Sequence, residues 1–241
     1  METVWPDHRS PDRWLTSRHG RGDQNRPGSR SCQPYETHER HPVTDTTWDL
    51  QQHTPETLWA LCCQNLTTAG HSARHPFHLV TIATITADGT PSLRTVVLRA
   101  FDDFPPAIVF HTDSRSPKFQ HLSERPDLSL HWYAPDLRVQ LRAHARATLH
   151  QADPRATQSW EQSRSTSRAC YTAPDPPGTP VAAFPPAPAI PLDDDHAGLV
   201  HFAVVTCRFT ELEVLALHAS GHQRVRLTLA ATPPSWQILA P

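Results

Sequence analysis

The sequence predicts a mainly β domain with flanking helices, an α+β architecture whose antiparallel strands close into a small barrel. Three observations predict it. Residues 128–133 and 139–148 alternate apolar and polar side chains, the mark of antiparallel strands with one buried face. Strand-like runs recur between turn signals from residue 79 onward, while helical patterns fall in the connections. Closure into a barrel removes the exposed edges that such a meander would otherwise carry.

The first 45 residues stand apart. They hold no Ile, Phe or Ala and a single Leu, Leu15, among seven Arg and seven acids. Such a stretch buries too little apolar surface to offset its ordering entropy, so residues 1–45 are expected to form a disordered extension before a domain at 46–241. Arg21-Gly22-Asp23 matches an adhesion tripeptide by chance. The first helix is expected over 55–69, with Thr54 as N-cap, Pro55 at the first helical position and Gly70 as the stop. Its apolar face is Leu58, Leu61, Cys62 and Leu66. Leu79–Ile85 reads as a strand, Asp88-Gly89 as a turn and Leu93–Phe101 as the hairpin partner. Ile108–His111 is a third strand, and a short helix covers about 116–123. In the strand 139–148, Val139, Leu141, Ala143, Ala145 and Ala147 face one way. A helix is expected over 153–169 around Trp160, then a loop over 173–196 with eight Pro. Strands at about 200–208, 211–218 and 223–229 follow, and the chain closes with Trp236–Leu239.

Composition narrows the function. The chain has 241 residues, 37% apolar, with 25 Pro and only 8 Gly. No glycine period exists, which excludes collagen, and no apolar run reaches the roughly 18 residues of a membrane span. Lys plus Arg total 22 against 24 acids, so nothing suggests the basic footprint of a nucleic-acid binder. The five Cys are an odd count without a signal peptide, which points to reduced thiols and a cytoplasmic location.

The chain's only lysine lies in its most informative segment, His111-Thr112-Asp113-Ser114-Arg115-Ser116-Pro117-Lys118. This segment joins a strand to a helix with Ser116 as N-cap. Arg115 and Lys118 therefore meet the positive end of a helix dipole, where cations are disfavoured. A bound anion, most simply a phosphate, resolves the conflict; a solvated helix end offset by Asp113 is the alternative. Arg94 and Arg99 flank an apolar stretch and should point to opposite faces unless the strand twists or bulges. Arg224 and Arg226 share a face opposite Val225, Leu227 and Leu229, and either serve a ligand or face water. Gln140 lies on a polar strand face. His71, His75 and His78 form a cluster, but with 17 His such groupings arise by chance, and no metal is expected. Asp193–Asp195 with His196 reads as a solvated acidic turn. No P-loop, Rossmann glycine motif or nucleophile elbow occurs.

Several segments in this order resemble the pyridoxamine 5′-phosphate oxidase family, the FMN-binding split β-barrels. They are DGTPSLRTVVLRAFD, IVFHTDSRSPKFQHL, LSLHWY, VQLRAHARA and the closing RVRLTLAATPPSWQILAP. WEQSRSTSRACYTAPDPPG resembles a branch distinct from the well-studied vitamin enzymes. The resemblance covers about 46–241 and implies a homodimer with FMN at its interface. It implies that Arg94 and Arg99, with the intervening Thr95, Val96 and Val97, contact the flavin. His111 and Thr112 match a strand-end pair that touches the cofactor. Ser116 and Lys118, with Arg115 in the same turn, match the phosphate-binding stretch. Gln140 and Arg226 match flavin-contacting positions. Leu215 stands where the vitamin enzymes carry a Trp against the flavin, and their substrate-handling Arg and His fall near His222 and Arg224. Arg164, and with it Arg168, Arg99 and Arg224, are the expected contacts to a small anionic substrate. The implied activity is hydride transfer from that substrate to FMN, with pyridoxamine or pyridoxine 5′-phosphate the leading candidate. A flavin-binding protein without oxidase activity, or a split barrel using a deazaflavin or haem, is the alternative.

Overall fold

A computed structural model describes residues 48–187, 196–230 and 233–241. The expectations for residues 1–45 and for Asp193–Asp195 lie outside the described residues. Helix α1 (Pro55–His71) opens on a reciprocal cap: the Thr54 hydroxyl accepts from the Thr57 N–H and the Thr57 hydroxyl accepts from the Thr54 N–H. It buries Leu58, Cys62, Leu66 and Ala69, while Leu61 stays partly exposed. The helix continues through Gly70 rather than ending there. Gly70 serves close packing instead, since an added Cβ would sit 3.4 Å from Ala100 Cα and from the Arg99 carbonyl oxygen.

Strands β1 (Leu79–Ile85) and β2 (Pro91–Val97) form the expected hairpin, with Gly89 at φ +90° in the turn. The run Leu93–Phe101 is not one strand. It breaks at Leu98–Arg99, and β3 (Ala100–Asp103) pairs instead with β4 (Pro106–Asp113). At the break Leu98 N–H bonds the His78 carbonyl and Arg99 N–H bonds the Val109 carbonyl, both at 2.8 Å. The chain thus crosses from one sheet neighbour to another without losing its backbone partners. Then come α2 (Pro117–Glu124), β5 (Asp127–Ala134) and the 13-residue β6 (Val139–Gln151). The helix expected over 153–169 is two, α3 (Pro154–Gln162) and α4 (Ser165–Arg168). The Ser163 hydroxyl donates to the Ser159 carbonyl at 2.7 Å and Arg164 is extended (φ −67°, ψ 144°). Hydroxyl side chains compete with the helical ladder in this Ser-rich stretch, which the helical pattern alone did not reveal. Strands β7 (Phe202–Arg208), β8 (Glu211–Ala216), β9 (Gln223–Thr228) and β10 (Ser235–Leu239) complete the order.

All strand pairs are antiparallel, and β6 organises them. One edge pairs with β5 along most of its length. The other edge is shared: Val139–Arg142 pair with β8 and Arg146–Gln151 pair with β7. The sheet therefore splits along β6. One branch runs β8-β9-β10 and the other runs β7-β4-β3. The Leu98–Arg99 crossing closes β2-β1-β5-β6-β7-β4 into a barrel. The strict alternation of β6 buries Val139, Leu141, Ala143, Ala145 and Ala147 inside it, with Trp132 and Phe110 from its neighbours. The chain leading into α1 is tied back to β9, where the Gln223 amide accepts from Leu50 N–H and donates to Asp49.

A second, smaller cluster joins Val109, Ala156, Trp160, Phe202 and Val204, with Tyr171 and Leu199 against it. Gly198 is wedged here. A Cβ at this position would meet the Tyr171 Cβ at 2.9 Å, Trp160 at 3.0 Å and the Tyr171 backbone at 3.1 Å. Gly198→Ala should destabilise the protein by about 1–3 kcal/mol through overpacking; urea denaturation will measure it, and an unchanged midpoint would show that the wedge relaxes.

Candidate functional site

The turn from β4 into α2 collects buried polar groups: Thr112, Asp113 and Ser116 are each under a tenth exposed. Ser116 occupies the N-cap position, but its hydroxyl makes no cap bond. It pairs with the Thr112 hydroxyl (3.1 Å), to which Lys118 Nζ donates at 2.9 Å. Arg94 reaches the same region from β2. Its guanidinium donates to the Thr84 hydroxyl (2.6 Å) and to the Ser92 carbonyl and hydroxyl (2.7 Å each). Thr84, fully buried, also hydrogen-bonds His121 of α2 at 3.0 Å.

Arg94 and Lys118 thus lie close together, half-buried, with only neutral partners. Burial, and then the neighbouring Arg94 charge, hold the Lys118 ammonium below its usual range, with Asp113 opposing. Burial also lowers Arg94. Neither forms an ion pair among the described residues. Asp113, the acid closest at hand, is engaged elsewhere: Arg115 N–H and Nε bind one carboxylate oxygen (2.8 and 3.1 Å) and Arg115 Nη2 binds the other (2.8 Å). Arg115 also donates to the carbonyls of Ala173 and Pro174. Four of its five guanidinium N–H donors are thus engaged by Asp113 and these two carbonyls.

Beside this turn lies a cleft of about 720 Å³. The break after β2 delivers Arg99 to it, β4 delivers His111, and the break between α3 and α4 delivers Arg164. Arg155 joins them, paired with Asp102 at 3.8 Å, and among the described residues no Asp or Glu lines the cleft. Arg168 is not in the lining; its guanidinium lies 5.6 Å from the Trp160 ring centroid, a cation–π contact. Of the residues between Arg94 and Arg99, Val96 is buried in the barrel, whereas Thr95 and Val97 lie on the opposite face of β2.

His111 packs edge-on against Phe202, with centroids 4.8 Å apart. Burial, then Arg99, push its imidazole down to about 4. The neutral ring is favoured in the folded state, so its stabilising contribution is complete above the unfolded value near 6.5 and is lost as pH falls towards 4. His111→Gln should therefore flatten the fall of stability between about pH 6.5 and 4. Denaturation midpoints across that window are the check, and parallel curves for the two proteins would remove the claim.

Gln140, Arg224 and Arg226 gather elsewhere, on the outer face of β6, β8 and β9. Glu213 is at their centre, largely buried, with Arg224 at 2.7 Å, Arg142 at 3.5 Å and Arg226 at 3.6 Å. The Gln140 side chain shares a hydrogen bond with His131 at 3.1 Å and its backbone pairs with Leu215. Arg224 is thus not brought to the cleft with Arg99 and Arg164. In the histidine cluster, His75 accepts from Phe77 N–H and His78 bonds the Ala69 carbonyl. Sequence reasoning missed Glu213, Thr84 and Arg155. Glu213 was within reach, because it alternates with Leu215 on the strand preceding Arg224 and Arg226.

The architecture is an antiparallel split β-barrel of the FMN-binding type. Residues 57–151 match the family model described as pyridoxamine 5′-phosphate oxidase, FMN-binding domain. Over those residues the chain is similar to the pyridoxamine 5′-phosphate oxidase family. It is similar to pyridoxine/pyridoxamine 5′-phosphate oxidase 2 of Arabidopsis thaliana, at 29% identity over 64% of this chain and 79% of that protein. A pyridoxine/pyridoxamine 5′-phosphate oxidase of Caulobacter vibrioides matches at 34% identity, over 36% of this chain and only 38% of its own length. Two solved structures share the fold. The pyridoxamine 5′-phosphate oxidase-related, FMN binding protein of Nostoc punctiforme has a TM-score of 0.63 at 22% identity, covering 76% of this chain and 97% of its own. PhzG of Burkholderia lata has a TM-score of 0.58 at 18% identity, covering 80% and 96%. Among the described residues no helix is long and apolar enough to cross a membrane.

Proposed function

We propose that the protein is an FMN-dependent oxidoreductase acting on a small anionic substrate. The observation that carries this reading is the pair Arg94 and Lys118, two half-buried neighbouring cations, each hydrogen-bonded only to neutral groups: Arg94 to Thr84 and Ser92, Lys118 to Thr112. A phosphate there would satisfy both charges, and the Thr112 and Ser116 hydroxyls could contribute further hydrogen bonds. These residues fit the phosphate of FMN. When bound, FMN supplies a two-electron acceptor for hydride, and the protein's part is binding and orientation. Arg99 and His111 line the cleft. The neutral His111 can accept or donate a hydrogen bond without adding positive charge. Arg99 and Arg164, with Arg155 beside them although paired at 3.8 Å with Asp102, favour a substrate with a phosphate or carboxylate group. Pyridoxamine or pyridoxine 5′-phosphate heads the candidates, in keeping with the names of the Arabidopsis and Caulobacter relatives.

Gln140 and Arg226 enter this reading through a homodimer. The outer sheet face exposes Leu79, Leu93 and Tyr133, and a second copy covering it would bring its own Gln140 and Arg226 towards the flavin. A cytoplasmic location belongs to the same reading. A second reading, flavin binding without oxidase activity, is favoured by Leu215 and by the capture of Arg224 by Glu213. The visible absorption spectrum under FMN titration tests the cofactor: shifted flavin bands support it, and a protein that leaves the FMN spectrum unchanged overturns it. Turnover of pyridoxamine 5′-phosphate by the loaded protein then separates the two readings, and sedimentation tests the dimer.

A further inference from the structure

The Asp113–Arg115 fork does more than shape its own turn. After satisfying Asp113, the guanidinium reaches across 58 and 59 positions of sequence to the carbonyls of Ala173 (3.0 Å) and Pro174 (3.1 Å). These residues begin the Pro-rich segment. Just before them, Tyr171 packs against Phe202 (5.0 Å) and Trp160 (6.0 Å), in the aromatic cluster beside the cleft. Just after them, Gly178 lies against Pro117, the first residue of α2, where an added Cβ would be 3.8 Å from the Pro117 ring. Residues 172–178 therefore form a strap from the Trp160–Tyr171–Phe202 cluster to the turn that carries Lys118. Arg115 is the side chain of that turn that hydrogen-bonds it.

We propose that Arg115 is a positioning residue: it latches the strap across the anion-binding turn and so slows the loss of bound cofactor, without itself touching the phosphate. The proposal rests on the FMN reading given above. It differs from a phosphate-ligand role in one measurable respect. A ligand acts on the phosphate alone, whereas a latch acts on any flavin seated beneath the strap.

The experiment measures dissociation rates of FMN and of riboflavin, which lacks the phosphate, by flavin fluorescence. Arg115→Ala should speed release of both by the same factor, about tenfold for two lost hydrogen bonds to carbonyls. Lys118→Ala should speed release of FMN only. Ala173→Gly with Pro174→Gly loosens the strap while leaving Arg115 in place, so it keeps the test open should Arg115→Ala fail to fold. It should reproduce the Arg115→Ala result, and combining the changes should add nothing further, because both remove one latch. An Arg115→Ala effect confined to FMN, additive rates in the combination, or an inert strap variant would each overturn the latch. A wild-type protein that binds neither flavin is a different failure: it removes the cofactor reading and the latch with it.

Discussion

Lys118→Ala should weaken FMN binding by roughly 1.5–3 kcal/mol, which is about ten- to hundredfold in Kd. Its ammonium is one of the two cations there that form no ion pair among the described residues, and a charge-assisted contact to phosphate is worth about twice a neutral one. The unliganded protein should respond differently. There Lys118 carries the cost of burial and of facing Arg94, offset by one hydrogen bond to Thr112 and by the nearby Asp113 charge. Its loss should leave the unliganded Tm unchanged or slightly raised, while the Tm gained on adding FMN shrinks. Titration calorimetry and melting curves with and without FMN give both quantities. Equal FMN affinity in the two proteins would show that the turn holds no phosphate.

Trp160→Ala should cost about 3–5 kcal/mol of stability. The indole is fully buried and contacts Phe202 at 5.3 Å, Tyr171 at 6.0 Å and the Arg168 guanidinium at 5.6 Å. Little else fills that space, because the cluster beneath α3 is small and separate from the barrel core. For a domain of this size the loss corresponds to a fall in Tm of about 6–20 °C. Trp236→Ala, on the edge strand β10 and only half-buried, should cost much less. If thermal melts show the two changes to be equal, the Trp160 cluster is not the second core described above.

How much was legible beforehand follows from the range of the forces involved. The β6 alternation and the Thr54–Pro55 helix start were readable because cap chemistry and strand periodicity are local. The Leu93–Phe101 run was misread as one strand because every residue in it suits a strand. Its break at Leu98–Arg99 is imposed by two backbone hydrogen bonds to His78 and Val109, neither of which the local pattern can announce. The proposed anion site was half readable. The strand-to-helix turn marked Ser116 and Lys118, and a rigid strand count put Arg94 and Arg99 on opposite faces. In the structure the two arginines lie in different places, Arg94 bonded to Thr84 and Ser92 and Arg99 lining the cleft. Arg115 looked like a partner of Lys118 from its position. Only the arrival of Ala173 and Pro174 shows where its donors go.

By itself, then, the sequence determined the strands, the helix starts and the presence of a cationic turn, since each depends on neighbours within a few residues. Tertiary structure decided which cations remain without an acid. It assigned Asp113 to Arg115 and Glu213 to Arg224, and left Arg94 beside Lys118 with neutral partners. The physical reason is that pairing of charges depends on distances of a few ångströms, and those are set by how the barrel closes, not by order along the chain.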